Sequence, residues 1–112
     1  VQGDGKDTRC FCYISDAIEA ILLITQSSNV INEIYNIGSD EETSINQLIE
    51  LLQSVHGKEL SPIYEDFKNP GTKRRVPDIT KICKLGYKPK ISLQIGLQKT
   101  YDWYSKFYND EK

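Results

Sequence analysis

The sequence has no methionine, one histidine, one tryptophan and only three cysteines in 112 residues. Because the cysteine count is odd and no export signal is visible at the start, we expect free thiols and a cytoplasmic protein. No apolar run approaches the roughly 18 residues that a membrane span needs, so no membrane partner is expected. The net charge of −2 disfavours nucleic acid, which usually requires a basic surface.

Soft metal ligands are scarce. Cys10 and Cys12 are separated by a single residue, whereas paired zinc ligands are usually separated by about two to four. The remaining soft ligands, Cys83 and His56, each lie on a predicted helix of their own. On a strand, alternate residues share a face, so Cys10, Cys12 and Ile14 are expected to point together toward the core. We therefore favour buried thiols over a metal site and expect no metal.

The chain begins at Val1 and enters Gly3-Asp4-Gly5 almost at once. Since there is no methionine and no lead-in before this turn, we expect the C-terminal piece of a longer protein. Removal of an initiator methionine is the alternative. Length and composition predict a single domain over residues 1–112.

Strand and helix patterns alternate through the first two-thirds of the chain, which predicts an α/β fold ending in helices. Predicted strands are Thr8–Ile14, Glu33–Ile37 and about Leu60–Tyr64. Predicted helices have the N-caps Asp16 (with Glu19), Ser44 (with Gln47), Asp78 and Ser92, and Gly57 and Gly86 end the second and third. The first helix is apolar nearly all round over residues 17–24, so we expect it to be deeply buried.

Two arginine-bearing segments suggest an anion site. Alternation places Arg9, Phe11 and Tyr13 on one face of the first predicted strand. Such a face suits a ligand that has a charged group beside a flat ring. A surface arginine over exposed aromatics is the alternative. Lys73-Arg74-Arg75 is the second segment, in a loop that could simply be solvated. Because guanidinium groups match phosphate oxygens, the two segments together could clamp a diphosphate.

Two short motifs point to chemistry without its structural context. Gly3-Asp4-Gly5 lacks the third glycine of a dinucleotide fingerprint and leads into a predicted strand instead of a helix. Tyr64 and Lys68 have the Tyr-x-x-x-Lys spacing used for proton transfer in short-chain dehydrogenases, but they lie in a predicted strand and loop. We interpret both as coincidence.

Several stretches, in order over nearly the whole chain, resemble the C-terminal part of extended short-chain dehydrogenases that modify nucleotide sugars. They are Gly3-Asp4-Gly5 through Thr8-Arg9, Phe11-x-Tyr13-Ile14-x-Asp16, Tyr35-Asn36-Ile37-Gly38-Ser39, Ser44-Ile45, Arg75-x-Pro77-Asp78-Ile79-Thr80-Lys81, Leu85-Gly86-Tyr87-x-Pro89 and Ser92-Leu93-x-x-Gly96-Leu97. Thr-Arg-Cys-Phe-Cys-Tyr and Arg-x-Pro-Asp-Ile-Thr-Lys look most like UDP-glucuronate decarboxylases and their close epimerase relatives.

The resemblance implies a role for each matching position. Arg9 would bind the diphosphate of a UDP-sugar, with Tyr13 near it. Arg75 would reach the nucleotide from the other side, with Arg74 as its neighbour, and Asp16 would cap a helix. The implied fold is the substrate-binding lobe of an extended Rossmann-type enzyme, with a few strands and about four helices.

The resemblance also implies what lies elsewhere. The Gly-rich NAD loop and the catalytic Tyr-x-x-x-Lys belong upstream, so NAD is expected in the parent enzyme and not in this chain, which alone would be inactive. The alternative is a truncated, non-catalytic module. In that case the Tyr35–Ile37 strand, without its parallel neighbours, would expose an edge and promote self-association.

Overall fold

A computed structural model describes residues 1–28, 30, 32–66 and 71–109. Within these residues it contains one three-stranded sheet and four helices. The elements, in chain order, are β1 Thr8–Cys10, α1 Ile14–Gln26, β2 Glu42–Ser44, α2 Ile45–His56, β3 Arg74–Arg75, α3 Thr80–Cys83 and α4 Leu93–Asn109. The predicted α/β class is confirmed.

Strand β1 is the centre of the sheet. It pairs antiparallel with β2, so that Arg9 lies opposite Thr43 and Cys10 opposite Glu42. It pairs parallel with β3, so that Thr8 lies opposite Arg74 and Arg9 opposite Arg75. Since paired residues share a face and neighbours alternate, Thr8, Glu42 and Arg74 lie on one face and Arg9 and Arg75 on the other.

Two of the predicted strands are wrong. Residues 33–37 pair with no described strand, and side chains hold this segment instead. Asn36 Nδ2 donates to the carbonyl of Asp78 (3.1 Å) and Lys81 Nζ to the carbonyl of Ile34 (2.9 Å). In the predicted strand 60–64 no residue forms a ladder, and the next residue, Glu65, makes one isolated bridge to Gln2. Patterning favoured strands here, but no described neighbour offers an edge to extend.

Helix α1 begins three residues before the predicted start, at Ile14 with Tyr13 as N-cap. Tyr13 makes no side-chain cap, so the predicted capping box at Asp16 is wrong. Asp16 is buried in the first turn, and its Oδ2 accepts hydrogen bonds from the backbone N–H groups of Lys90 and Ile91, both at 3.0 Å. The carboxylate satisfies amide groups just before α4, and this long-range contact explains its burial.

The expected deep burial of α1 is also wrong. Ala20 is fully buried, and Leu23 and Ile24 pack beside it. On the other side of the helix, however, half or more of each large apolar side chain is exposed: Ile14 63%, Ile18 50%, Ile21 51% and Leu22 52%. No described element covers this face, whose apolar character alone had predicted burial.

Local signals at α2 and α4 are confirmed. Ser44 and Gln47 form a complete capping box at the start of α2, and Gly57 ends that helix at φ 71°. At α3 the N-cap is Ile79 and not the predicted Asp78, although Asp78 Oδ1 accepts from Thr80 N (2.9 Å). Ser92 Oγ accepts from Ile95 N (3.4 Å) at the start of α4. Within the described ranges, no helix is long and apolar enough to cross a membrane.

The buried core is small and lies between α1, α3 and the segment that follows α3. It consists of Ala20, Ile79, Ile82 and Tyr87, flanked by Leu23, Ile24, Tyr35 and Ile37. The Tyr87 hydroxyl donates to the carbonyl of Gly38 (2.9 Å), and Cys12 Sγ lies 3.7 Å from it. Burial raises the pKa of this phenol well above its ordinary value of 10.0.

Candidate functional site

Arg9 and Arg75 are direct neighbours across two parallel strands. Their Cα positions are register partners on β1 and β3, so both side chains leave the sheet on the same face. The structure therefore brings the two arginine-bearing segments together, although Arg9 and Arg75 are 66 positions apart in the sequence.

The two guanidinium groups differ in how they are held. Arg9 Nη1 donates to the carbonyl oxygens of Thr8 (2.7 Å) and Lys73 (3.4 Å). Arg9 Nη2 lies 3.7 Å from Asp7 Oδ2, and the Arg9 side chain is only 28% exposed. Arg75 is exposed, and no described residue forms a hydrogen bond or ion pair with its guanidinium. The site therefore combines one fixed positive charge with one that can move toward a ligand.

Arg74 points away from this pair. Its Nε donates to both oxygens of the Glu42 carboxylate (3.1 and 3.0 Å), and its Nη2 lies 2.8 Å from Oε2. The Thr8 hydroxyl donates to the same carboxylate at 2.6 Å. Hydrogen bonds from Thr8 and then Arg74 hold the pKa of Glu42 below its ordinary value of 4.5. Arg74 is thus not brought to the face that carries Arg9 and Arg75.

Tyr13 is placed by α4 and not by strand alternation, because β1 ends at Cys10. A Cβ atom at Gly96 would lie 3.1 Å from Tyr13 Cδ2, so a larger residue there would press the ring aside. Lys99 Nζ lies 5.4 Å from the ring centroid. The ring also lines a shallow cavity of about 160 Å³, together with Phe11, Leu93 and Leu97. The ring is held in place beside an apolar opening.

The three cysteines are free thiols. Cys10 is half-buried, and its pKa is raised by burial and then by the nearby Glu42 carboxylate. Cys12 and Ile14 are exposed, so the expected shared inward face is wrong; alternation stops where β1 ends. Among the described side chains, no three His, Cys, Asp or Glu residues group closely enough to hold a metal ion.

The Gly3–Gly5 turn serves packing. Gly5 has φ 72°, and a Cβ atom there would lie 1.9 Å from Asn46 Oδ1, while Asn46 N donates to the Gly5 carbonyl (3.0 Å). The turn leads into β1, whereas a dinucleotide fingerprint must open a helix whose N-terminus meets the phosphates. The residues present here therefore do not fit the phosphates of NAD.

The Tyr-x-x-x-Lys spacing also lacks its context. Tyr64 lies outside any helix, and its hydroxyl donates to Asn46 Oδ1 at 3.0 Å. Lys68 lies outside the described residues. The Tyr64 hydroxyl is thus bonded to Asn46, the residue that also contacts Gly5.

Sequence reasoning missed Glu42 and the role of Thr8. The signal was present in part, since consecutive residues of any strand must face opposite sides. That rule places the side chains of Arg74 and Arg75 on opposite faces, but it applies only to a strand, and the sequence pattern predicts a loop at residues 74–75. The missing information was the pairing partner, β1, which is distant in sequence.

Comparison with known proteins places this chain among enzymes of nucleotide sugars. The sequence profile of the family described as GDP-mannose 4,6 dehydratase matches residues 1–100. GDP-L-fucose synthase 1 of Arabidopsis thaliana is 37% identical over 106 residues, covering 95% of this chain and 32% of its own length. UDP-N-acetyl-alpha-D-glucosaminuronate decarboxylase of Bacillus cytotoxicus is 33% identical over 117 residues, covering 98% of this chain and 36% of its own.

Solved structures agree with the sequence matches. UDP-glucuronic acid 4-epimerase of Bacillus cereus, solved with UDP-glucuronic acid and NAD, has a TM-score of 0.89 and 34% identity. It covers 96% of this chain, which in turn spans 35% of that enzyme. UDP-glucose 4-epimerase of Thermotoga maritima, solved with UDP-glucose, has a TM-score of 0.88 and 33% identity over 96% of this chain and 35% of its own. The chain spans about a third of the relatives it matches.

Proposed function

The chain belongs to the GDP-mannose 4,6-dehydratase family, and from that premise we propose that it is the sugar-nucleotide-binding portion of an NAD-dependent epimerase, dehydratase or decarboxylase. The observation that carries the proposal is the pairing of Arg9 with Arg75 on one face of the sheet. Two adjacent guanidinium groups match the two phosphoryl groups of a nucleoside diphosphate in charge and in hydrogen-bond geometry.

Arg9 supplies the fixed half of this clamp. Nη1 donates to two carbonyl oxygens and Nη2 lies beside Asp7 Oδ2, so a phosphate would take the place of Asp7 at the Nη2 and Nε edge. Arg75 supplies the second half from β3. A hydrogen bond to a charged group contributes about 1.5–3 kcal/mol, so two such contacts are enough for a measurable affinity.

Two further residues were expected near the ligand. Tyr13 would contribute a flat surface, since its ring is fixed against Gly96 at the edge of an apolar cavity. Arg74 would reach the ligand only after leaving Glu42. We take UDP as the nucleotide to test, because two of the similar structures were solved with UDP-sugars.

The parent enzyme would take NAD through residues outside this chain. When bound there, NAD would accept a hydride from the sugar and later return it. This chain alone would bind the substrate without turning it over. Its cysteines are free thiols, which fits the cytoplasmic location we propose.

The test is calorimetric titration of the 112-residue chain with UDP, with uridine and NAD as control ligands. We expect UDP to bind, uridine to bind much more weakly and NAD to give no heat. Arg9→Ala should weaken UDP binding at least about tenfold, as expected for loss of one charged hydrogen bond. Lys6→Ala is the matched control, because it removes one positive charge from an exposed side chain whose ion pair, among the described residues, is with Asp4 alone. Equal losses in both variants would contradict a specific clamp.

Self-association is the second candidate, favoured by the exposed face of α1. Ile14, Ile18, Ile21 and Leu22 form an apolar strip on that helix, and the neighbouring segment 33–37 pairs with no described strand. Exposed strips of this kind mark interaction surfaces. Sedimentation should show a dimer or larger species that Ile18→Glu weakens and that Ser54→Glu, an exposed control position on α2, does not. A monomer at all concentrations would exclude this candidate.

A further inference from the structure

The carboxylate of Glu42 bridges the whole width of the sheet. The strand order is β2-β1-β3, so Glu42 and Arg74 stand on the two outer strands with Thr8 between them. Glu42, on β2, accepts hydrogen bonds from the Thr8 hydroxyl on the central strand and from Arg74 on β3. Here we call these three residues the crossbar. They lie on the face opposite Arg9 and Arg75.

We propose that Glu42 is a positioning residue: through the crossbar it holds β3 against β1 and so keeps Arg75 beside Arg9. Glu42 itself does not touch the nucleotide. The inference rests on the proposed function for its effect on binding, but its effect on β3 can be measured without any ligand.

Strand β3 needs such support because it is short and exposed. It has only two residues, both exposed, and parallel pairing is slightly less stable per residue than antiparallel pairing. The backbone bond from Thr8 N to the Lys73 carbonyl (2.9 Å) joins the two strands at its start. A segment with few buried contacts opens locally at little cost. The contacts of Arg74 with Glu42, two hydrogen bonds from Nε and an Nη2–Oε2 distance of 2.8 Å, are therefore a large share of what holds β3.

The crossbar also selects the register of β3. Arg74 and Arg75 are identical in chemistry, so a slip by one residue would exchange their faces. Glu42 and Thr8 fix one arginine on their side of the sheet, and alternation then places the next on the opposite side. Without Glu42, either arginine could face Arg9, and the ordered pair would become a mixture.

Electrostatics alone predict the opposite effect on binding, which makes the test sharp. Glu42→Gln removes a negative charge near an anion site, and that change by itself should tighten UDP binding. If Glu42 acts by positioning, the same variant should weaken UDP binding by about three- to tenfold, the equivalent of one well-formed exposed ion pair. Glu41→Gln, an exposed neighbour with the same change in charge, measures the electrostatic effect alone.

A reversed pair tests the mechanism. Arg74→Gln should weaken UDP binding as much as Glu42→Gln, and the double variant no more than either single, because both remove the same contact. Glu42→Arg combined with Arg74→Glu should recover affinity to within about twofold of the parent, whereas each single reversal should not. A reversed pair no better than the single reversals would contradict the proposal.

The outcomes separate this proposal from the proposed function. If Arg9→Ala abolishes UDP binding while Glu42→Gln binds as tightly as Glu41→Gln, the nucleotide site stands and the positioning role is overturned. If the parent chain binds no UDP, the proposed function fails, and amide hydrogen exchange decides the positioning role. In this parallel ladder the N–H of Arg75 faces β1, whereas that of Arg74 faces the outer edge. We expect the amide of Arg75 to exchange at least about tenfold faster in Glu42→Gln than in Glu41→Gln. Equal exchange would overturn it.

Discussion

The buried carboxylate of Asp16 accepts a hydrogen bond from the backbone N–H of Lys90, and the same oxygen accepts a second from Ile91. This contact joins the first turn of α1 to the segment that precedes α4. A surface ion pair between Glu19 and Lys90 lies beside it. Because Tyr13 lies between the same two helices, Asp16 also determines where that ring is held.

Loss of the Asp16 carboxylate should therefore destabilise the chain strongly. We expect Asp16→Ala to lower the free energy of unfolding by about 2–4 kcal/mol, since it leaves two part-buried N–H groups without their acceptor. Asp16→Asn keeps an acceptor oxygen and should cost less. Urea denaturation measures both, with Glu19→Gln as the control for a surface pair, expected to cost at most about 1 kcal/mol. An Asp16→Ala variant as stable as the control would refute this account of α1.

Gly5 and Gly57 provide a matched pair of glycine substitutions. Both have φ close to 70°, but a Cβ atom at Gly57 meets nothing within 4 Å, whereas one at Gly5 meets Asn46 at 1.9 Å. Gly57→Ala should cost about 1–2 kcal/mol, the penalty of left-handed backbone for an L-residue. Gly5→Ala should cost about 1–3 kcal/mol more, because Asn46 must move. Thermal or urea unfolding compares them, and equal losses would mean that the turn adapts freely.

The carboxylate of Glu42 should titrate below its ordinary pKa of 4.5, because Thr8 and Arg74 stabilise its ionised form. A lowered folded-state pKa contributes stability above the unfolded value, and the contribution is lost as the pH falls through the folded value. The crossbar should therefore be intact at neutral pH and break only in acid, below the ordinary carboxyl pKa of 4.5. Carboxyl NMR measures the titration directly. In Arg74→Gln the midpoint should rise toward 4.5, and an unchanged midpoint would contradict the pairing.

Tyr87 should ionise later than an ordinary tyrosine, because burial raises the pKa of its phenol. A raised folded-state pKa contributes stability below the unfolded value of 10.0, and the contribution is lost as the pH rises beyond it. Ultraviolet titration should show one tyrosine that ionises well above the ordinary pKa of 10.0, and Tyr87→Phe should remove that late transition.

The same substitution tests the hydrogen bond to Gly38. Tyr87→Phe leaves the Gly38 carbonyl without its donor, and we expect a loss of about 1–2 kcal/mol in the free energy of unfolding. Tyr64→Phe is a useful comparison, because the Tyr64 hydroxyl also donates but lies in an exposed position. Equal effects of the two substitutions would mean that burial of the Tyr87 hydroxyl is unimportant.

Local chemistry was predictable from the sequence wherever the signal and the structure lie within a few residues. The capping box of Ser44 and Gln47 needs only neighbours along the chain, and Gly57 ends α2 through its own φ. Asp16 shows the limit of this reasoning. Its sequence context matched a capping box, but a pair of amides distant in sequence competes for the carboxylate.

Pairing at long range could not be predicted in the same way. Strands β2 and β3 have three and two residues and are largely polar, so neither carries an alternating apolar pattern. They become strands because β1 offers an edge on each side. The apolar strip of α1 shows the opposite case, in which an apolar pattern is present but no described element packs on it. Composition predicts that a face can be buried, but it does not identify which part of the chain would cover that face.

The central claim is that Arg9 and Arg75 bind one diphosphate together, and backbone amide NMR during a UDP titration tests it most directly. We expect the amide resonances of Arg9, Cys10 and Arg75 to shift in a saturable way. The indole N–H resonance of Trp103, the single tryptophan, lies in the C-terminal half of α4 and should not shift. Uridine should leave these amides almost unchanged. Saturable shifts near Trp103, with Arg9 and Arg75 unmoved, would contradict the account.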